Sequence, residues 1–172
     1  VSAPAPRAAA HAAPEVPRGL RTLVLDVDGV LTDGRLWFGA DGEALKVFHV
    51  RDGYGIKALL RAGIEVVVIS GRRSAAVERR CAELGIRHVR QGVEDKVTAF
   101  RELLALVGGT EATSACVVDD TPDLPLMAAV AFPVAVADAH PDVRAAARYV
   151  TAAPGGLGAV REVCDLLVEA TR

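Results

Sequence analysis

The sequence predicts an α/β fold, a Rossmann-like parallel sheet flanked by helices. Three observations predict it. Strand-length apolar runs alternate with helix-period segments along the 172 residues, the pattern of parallel strands joined by right-handed crossovers. One run, Val66-Val67-Val68-Ile69, is apolar at every position, as a strand covered on both faces must be. The polar clusters each follow a predicted strand, where open α/β sheets gather their ligand sites.

Residues 1–18 are rich in Ala and Pro and are expected to form a disordered tail ahead of a single domain over 19–172. Pro4, Pro6, Pro14 and Pro17 argue against an amphipathic helix there, and prolines and charges interrupt any secretory apolar core. Thr22 to Val27 is the first predicted strand. Two short runs, 34–38 and 43–50, flank a turn containing Asp41-Gly42 and predict a hairpin. That hairpin carries Trp37 and Phe38 and is a poor free-standing element, so it needs a partner surface. A helix is expected over 53–62, with Asp52 as its cap. Residues 65–70 form the next strand, and 74–84 a helix closed by Gly85.

A short strand over 86–89 and a turn at Gln91-Gly92 lead to a helix over 94–107. Residues 115–118 read as another buried strand. Pro122 suits the first turn of the helix that follows, to Val130. A strand over 132–137, a short helix over 141–147 and a short strand at 149–150 come next. Gly155-Gly156 reads as a flexible joint before a last helix over 158–170, whose apolar stripe is Val160, Val163, Cys164 and Leu167.

Composition narrows the function classes. A net charge of −2 gives no general attraction to nucleic acid or anionic membrane. No run approaches the ~18 apolar residues of a membrane span. Cys81, Cys116 and Cys164 are odd in number and widely spaced, which fits a reducing compartment, here expected to be the cytoplasm, better than a disulfide framework. No His/Cys constellation suggests zinc.

The chemistry centres on Asp26-Val27-Asp28-Gly29. Two carboxylates so close repel unless one is protonated or a cation lies between them. Alone, the pair is better explained by a capped strand end with solvated aspartates. The other strand ends change that balance, because Ser70 and Asp119/Asp120/Asp123 should converge on the same crevice. A carboxylate attacking phosphorus needs a divalent cation, and Mg²⁺ prefers hard oxygen ligands. Asp26 and Asp119 with the Asp28 carbonyl could supply them. Asp28 is placed to donate a proton to the leaving oxygen, while Ser70 and Lys96 could hold phosphoryl oxygens.

Asp26-x-Asp28-Gly29-x-Leu31-Thr32, Ser70, Lys96 and Asp119-Asp120-x-x-Asp123 resemble, in order, the four motifs of the haloacid dehalogenase (HAD) phosphatases. Further stretches resemble one branch, the 3-deoxy-D-manno-octulosonate 8-phosphate (Kdo-8-phosphate) phosphatases. They include Asp26–Gly34, Phe48–Gly53, Ser70-Gly71-Arg72, Gln91-Gly92, Ala135–Ala139 and residues 155–162. The resemblance implies an aspartyl-phosphate on Asp26, acid/base work by Asp28, Mg²⁺ held by Asp26, Asp28 and Asp119, and phosphoryl binding by Ser70 and Lys96. It also implies substrate contacts from Thr32, from the loop His49-Val50-Arg51-Asp52-Gly53, and from Gly71, Arg72 and Arg80. Arginine forks suit a substrate bearing a carboxylate as well as a phosphate.

The spacing leaves no room for a lid domain, since only the hairpin and one helix separate Asp26 from Ser70. The resemblance implies a homotetramer in which neighbours complete each site, through the hairpin and the Gly-jointed C-terminal segment. Two rival readings remain: a phosphatase of a nine-carbon, sialic-acid-type phosphate, and a non-catalytic HAD-like assembly subunit. One departure stands out. Val118 occupies a place where the family usually has Gly, which is expected to crowd Asp119.

Overall fold

The computed structural model describes residues 14–171, so most of the predicted 1–18 tail lies outside the described residues. Of its last positions, Val16 packs against the hydrophobic core. Six parallel strands form one sheet: β1 (Thr22–Leu25), β4 (Glu65–Ser70), β5 (His88–Gln91), β6 (Ser114–Val118), β7 (Phe132–Ala135) and β8 (Tyr149–Val150), in the order β5-β4-β1-β6-β7-β8. The chain runs outward from β1 through β4 to β5, then crosses back to β6 on the other side of β1. That reversal opens a crevice at the carboxyl ends of the central strands. β1 is buried at every position, as are Val66–Ile69 of β4, which explains why these segments do not alternate.

The helices are α1 (Val50–Arg61), α2 (Ala75–Leu84), α3 (Lys96–Val107), α4 (Leu124–Ala129), α5 (Pro141–Ala146) and α6 (Ala159–Ala170). α1 packs on α6 and α3 on α4. Glycines permit the α1 contacts: a Cβ on Gly55 would come within 2.9 Å of Arg161 Cδ, and one on Gly53 within 2.4 Å of the Arg80 guanidinium.

Several predicted boundaries move for local reasons. α1 begins at Val50 and not Gly53, because His49 is its cap, with Nδ1 accepting from Arg51 N at 3.3 Å. Asp52 is therefore not the cap of α1. It lies within the first turn, is 2% exposed, and accepts from Arg161 N at 2.8 Å, so it caps the start of α6 instead. β5 starts two residues later than the apolar residues suggested. The helix expected from Pro122 begins as a 3₁₀ turn, Thr121–Asp123, before α4.

The predicted hairpin is present as β2 (Trp37–Gly39) and β3 (Gly42–Leu45), antiparallel and outside the main sheet. It leaves Leu36, Trp37, Phe38, Leu45 and Val47 between 41% and 65% exposed.

Gly155-Gly156 is not a flexible joint. Gly155 N donates to Asp138 Oδ1 and Gly156 N to Val30 O, both at 2.9 Å. A Cβ on Gly155 would lie 1.7 Å from Gly29 O, and one on Gly156 would lie 2.3 Å from Thr32 C. The pair is pressed onto the turn that follows Asp26 and Asp28, and α6 is docked within its own chain.

Candidate active site

The site forms where β1, β4 and β6 end and α3 begins. Asp26 is one residue past β1, and its N–H donates to Val117 O at 3.2 Å, which ties it to β6. Gly29 has φ +89°, and a Cβ there would fall 2.0 Å from Asp119 Oδ2. Only glycine lets this turn pass so close to the end of β6. Asp119 follows β6, and Asp123 ends the 3₁₀ turn. One carboxylate oxygen each from Asp26, Asp119 and Asp123 lies within 4.8 Å of the others.

Lys96 occupies the first position of α3, where a positive charge opposes the helix dipole. Its ammonium is instead held by carboxylates: Nζ lies 2.8 Å from Asp26 Oδ1 and 2.8 Å from Asp123 Oδ1. Burial disfavours the Lys96 charge, but Asp26 and Asp123 outweigh it and leave its pKa raised. Burial also pushes Asp26 upward, against the pull of Lys96. Asp119 is pushed up to about 7 by burial and then by the charges of Asp26, Asp123 and Asp120. Asp123 rises to about 6, by burial and the charge of Asp26.

Three carboxylates against one ammonium leave two negative charges, which one divalent cation would offset. These hard oxygen donors fit Mg²⁺. Asp123 carried no separate role in the sequence reading. Its position four residues after Asp119, across a Pro-containing turn, was the available signal.

Ser70 is 3% exposed, with Oγ accepting from Arg72 N at 3.3 Å. Ser70, Gly71 and Arg72 line the crevice together with Asp26, Asp28, Lys96 and Asp119. The Arg72 Nε lies 3.6 Å from Asp28 Oδ2. On the other oxygen, Lys46 Nζ donates to Asp28 Oδ1. Lys46 was missed from the sequence, because a lone lysine at the end of an exposed hairpin reads as solvated.

The other expected substrate contacts do not face this crevice within one chain. Thr32 is 2% exposed, and its hydroxyl donates to Val27 O and accepts from Gly34 N, so it serves the turn itself. His49, Asp52, Gly53 and Arg80 line a separate, mostly apolar cavity beside α2. Arg80 pairs with Glu83 at 3.0 Å. Val50 and Arg51 border an open surface patch with Tyr54 and Arg161, whose guanidinium stacks 4.8 Å from the Tyr54 ring. Asp120 is exposed and caps the 3₁₀ turn through Thr121 N at 2.7 Å. Val118 is fully buried in regular register with Ala135, and Asp119 still meets Asp26. The expected crowding does not break the cluster.

A parallel sheet with clustered carboxylates at the ends of neighbouring central strands is the fold and site of the HAD superfamily of hydrolases. The 3-deoxy-D-manno-octulosonate 8-phosphate phosphatase KdsC of Escherichia coli is 53% identical over 149 residues, 87% of this chain and 79% of that protein. The chain belongs to this family of phosphatases. The crystal structure of the Yersinia pestis phosphatase superposes with a TM-score of 0.87 at 50% identity, covering 89% of this chain and 83% of that one. The phosphatase from Moraxella catarrhalis, solved with a magnesium ion, a phosphate ion and Kdo, superposes with a TM-score of 0.86 at 40% identity, covering 89% and 88%. No family model matches the chain.

Proposed function

We propose that this chain hydrolyses Kdo-8-phosphate to Kdo and phosphate, a phosphoric monoester hydrolysis in lipopolysaccharide precursor synthesis. The observation that carries the reading is the triad of Asp26, Asp119 and Asp123 knitted by Lys96 at the mouth of the switch-point crevice. Membership in the phosphatase family supports the substrate.

Asp26 is the nucleophile. Its carboxylate attacks phosphorus, the ester P–O bond breaks, and an aspartyl-phosphate forms. Asp28 gives a proton to the departing alkoxide, then takes one from the water that hydrolyses the aspartyl-phosphate. Lys96 and the Ser70 hydroxyl hold phosphoryl oxygens, where negative charge gathers in the transition state. Asp26, Asp119 and the Asp28 carbonyl, with Asp123 alongside, would hold Mg²⁺, which would supply charge neutralisation for a dianionic ester meeting a carboxylate. Arg72 reads the sugar carboxylate by a bidentate fork.

The working form is a homotetramer in the cytoplasm. No separate lid covers the crevice in the described chain, yet an aspartyl-phosphate needs protection from water. The apolar side chains of the hairpin are exposed as in a surface awaiting cover. Neighbouring subunits would then bring His49, Val50, Arg51 or Arg80 toward a shared site. Among the described residues no helix is long and apolar enough to cross a membrane.

The test is phosphate release from Kdo-8-phosphate with Mg²⁺, with and without EDTA, for wild type and Asp26→Asn. Metal-independent turnover, or turnover retained in the variant, refutes the mechanism. A kcat/KM higher on a nine-carbon sialic-acid-type phosphate than on Kdo-8-phosphate would reassign the substrate. Light scattering that finds a fully active monomer would sink the tetramer.

A further inference from the structure

Lys46 follows β3 in an otherwise exposed hairpin, yet its side chain is 1% exposed. The ammonium points inward and donates to Asp28 Oδ1. Burying a lysine this deeply is costly unless its charge is met. The other oxygen of Asp28 has a different neighbour. Arg72 Nε stands 3.6 Å from Oδ2, on a side chain that is 43% exposed. That distance is too long for a hydrogen bond. One oxygen therefore accepts from a buried lysine, and the other has as its neighbour Arg72, which lines the crevice with Asp28.

We propose that Lys46 is a positioning residue that fixes Asp28 through Oδ1 and so makes Oδ2 the oxygen that gives and takes the proton. The inference rests on the reading of Asp28 as the acid/base. An ammonium has donors and no acceptor. Oδ1 accepts from it, and the carbonyl oxygen of a carboxylic acid is its stronger acceptor, so the Lys46 contact favours the proton of a protonated Asp28 on Oδ2. As the bond from Asp26 to phosphorus forms and the ester bond breaks, the Oδ2 proton passes to the leaving alkoxide. As water then adds to phosphorus and the bond to Asp26 breaks, Oδ2 receives a proton from that water.

The grip is needed because Asp28 sits in a turn and precedes Gly29, whose φ is +89°. A catalytic acid misplaced by about 1 Å can lose about 100-fold in rate. Lys46 has a firm base for this task. Phe48 packs on the core two residues later, and His49 caps α1.

The test compares Lys46→Met, Lys46→Gln and Lys46→Arg on two substrates. Kdo-8-phosphate has an alkoxide leaving group that requires a proton, whereas the leaving group of p-nitrophenyl phosphate does not. In single-turnover formation of the aspartyl-phosphate, Lys46→Met should lose about 100-fold on Kdo-8-phosphate and less than about threefold on the aryl ester, with KM for Kdo-8-phosphate within about threefold. Lys46→Arg should recover at least about tenfold. In an Asp28→Asn background, Lys46→Met should cost no more than about twofold further.

Equal losses on both esters, a full further loss in the Asp28→Asn background, or no loss at all would overturn the proposal. If Lys46→Met does not fold, as judged by its thermal melt, Lys46→Gln carries the same comparison. If Asp28→Asn alone keeps wild-type turnover, it is the acid/base reading that fails.

Discussion

The acidic floor of the crevice and its cationic rim are built differently. The floor, Asp26, Asp119, Asp123 and Lys96, stands on strand ends and a helix start, and its side chains are mostly buried and tied to one another. The rim, Arg72, Arg80 and Arg51, lies on a loop and helix surfaces, and within one chain only Arg72 reaches the crevice. The difference separates two tasks. Bond breaking is attached to the core, where geometry is fixed by sheet pairing. The cationic rim is attached to a loop and to helix surfaces, outside that fixed frame.

The sharpest way to break this division is at the floor. Asp26→Asn should abolish turnover, by roughly 10⁴-fold or more, while the fold persists by circular dichroism. Lys96→Met should lose about 10²–10³-fold in kcat, because it removes phosphoryl stabilisation and leaves Asp26 and Asp123 facing each other. At the rim, Arg72→Met should raise KM for Kdo-8-phosphate by about 10–100-fold and lower kcat less than KM rises. An equal or larger fall in kcat would show that the rim takes part in bond breaking.

The floor also predicts a pH response. Asp119 and Asp123 have folded pKa values raised to about 7 and about 6, and Mg²⁺ binds their ionised forms. Mg²⁺ affinity should therefore weaken toward acid, by about tenfold per unit between the Asp119 and Asp123 values and by nearly a hundredfold per unit below both, where two protons must be displaced. Calorimetric titrations at pH 5, 6 and 8 measure this. The same raised values mean the metal-free protein loses stability as pH rises from about 4 toward 7, because the unfolded chain releases these protons first.

The smallest effect is expected at Val118. Val118→Gly should leave kcat within about threefold or raise it, yet lower the melting temperature by about 5–10 °C through lost burial and added backbone freedom.

Part of the floor was legible in the sequence because Asp26 and Asp119 each follow a buried strand that its apolar run identifies, Leu23–Leu25 and Ala115–Val118; Lys96 and Asp123 follow no strand, and Asp123 was given no role of its own. The rim was less legible. Asp52 looked like the cap of its own helix, but it caps α6, a contact between residues far apart in sequence that no local pattern encodes. Lys46 was hidden for a similar reason, since a lysine after a hairpin is ordinarily solvated and only the fold brings Asp28 to it. Within one chain the polar Thr32 and Arg80 bond elsewhere, to the turn backbone for one and to Glu83 for the other.

The pair Gly155-Gly156 also bears on how the molecule is made. The turn after Asp28 closes against residues that come almost a whole domain later in the chain. Contacts of such sequence separation form late, after the cost of closing a long loop. A ribosome-bound chain would have β1 and its aspartates long before it has the backbone that seats them. Phosphatase activity should accordingly appear only after this glycine pair has left the ribosome and docked on the turn.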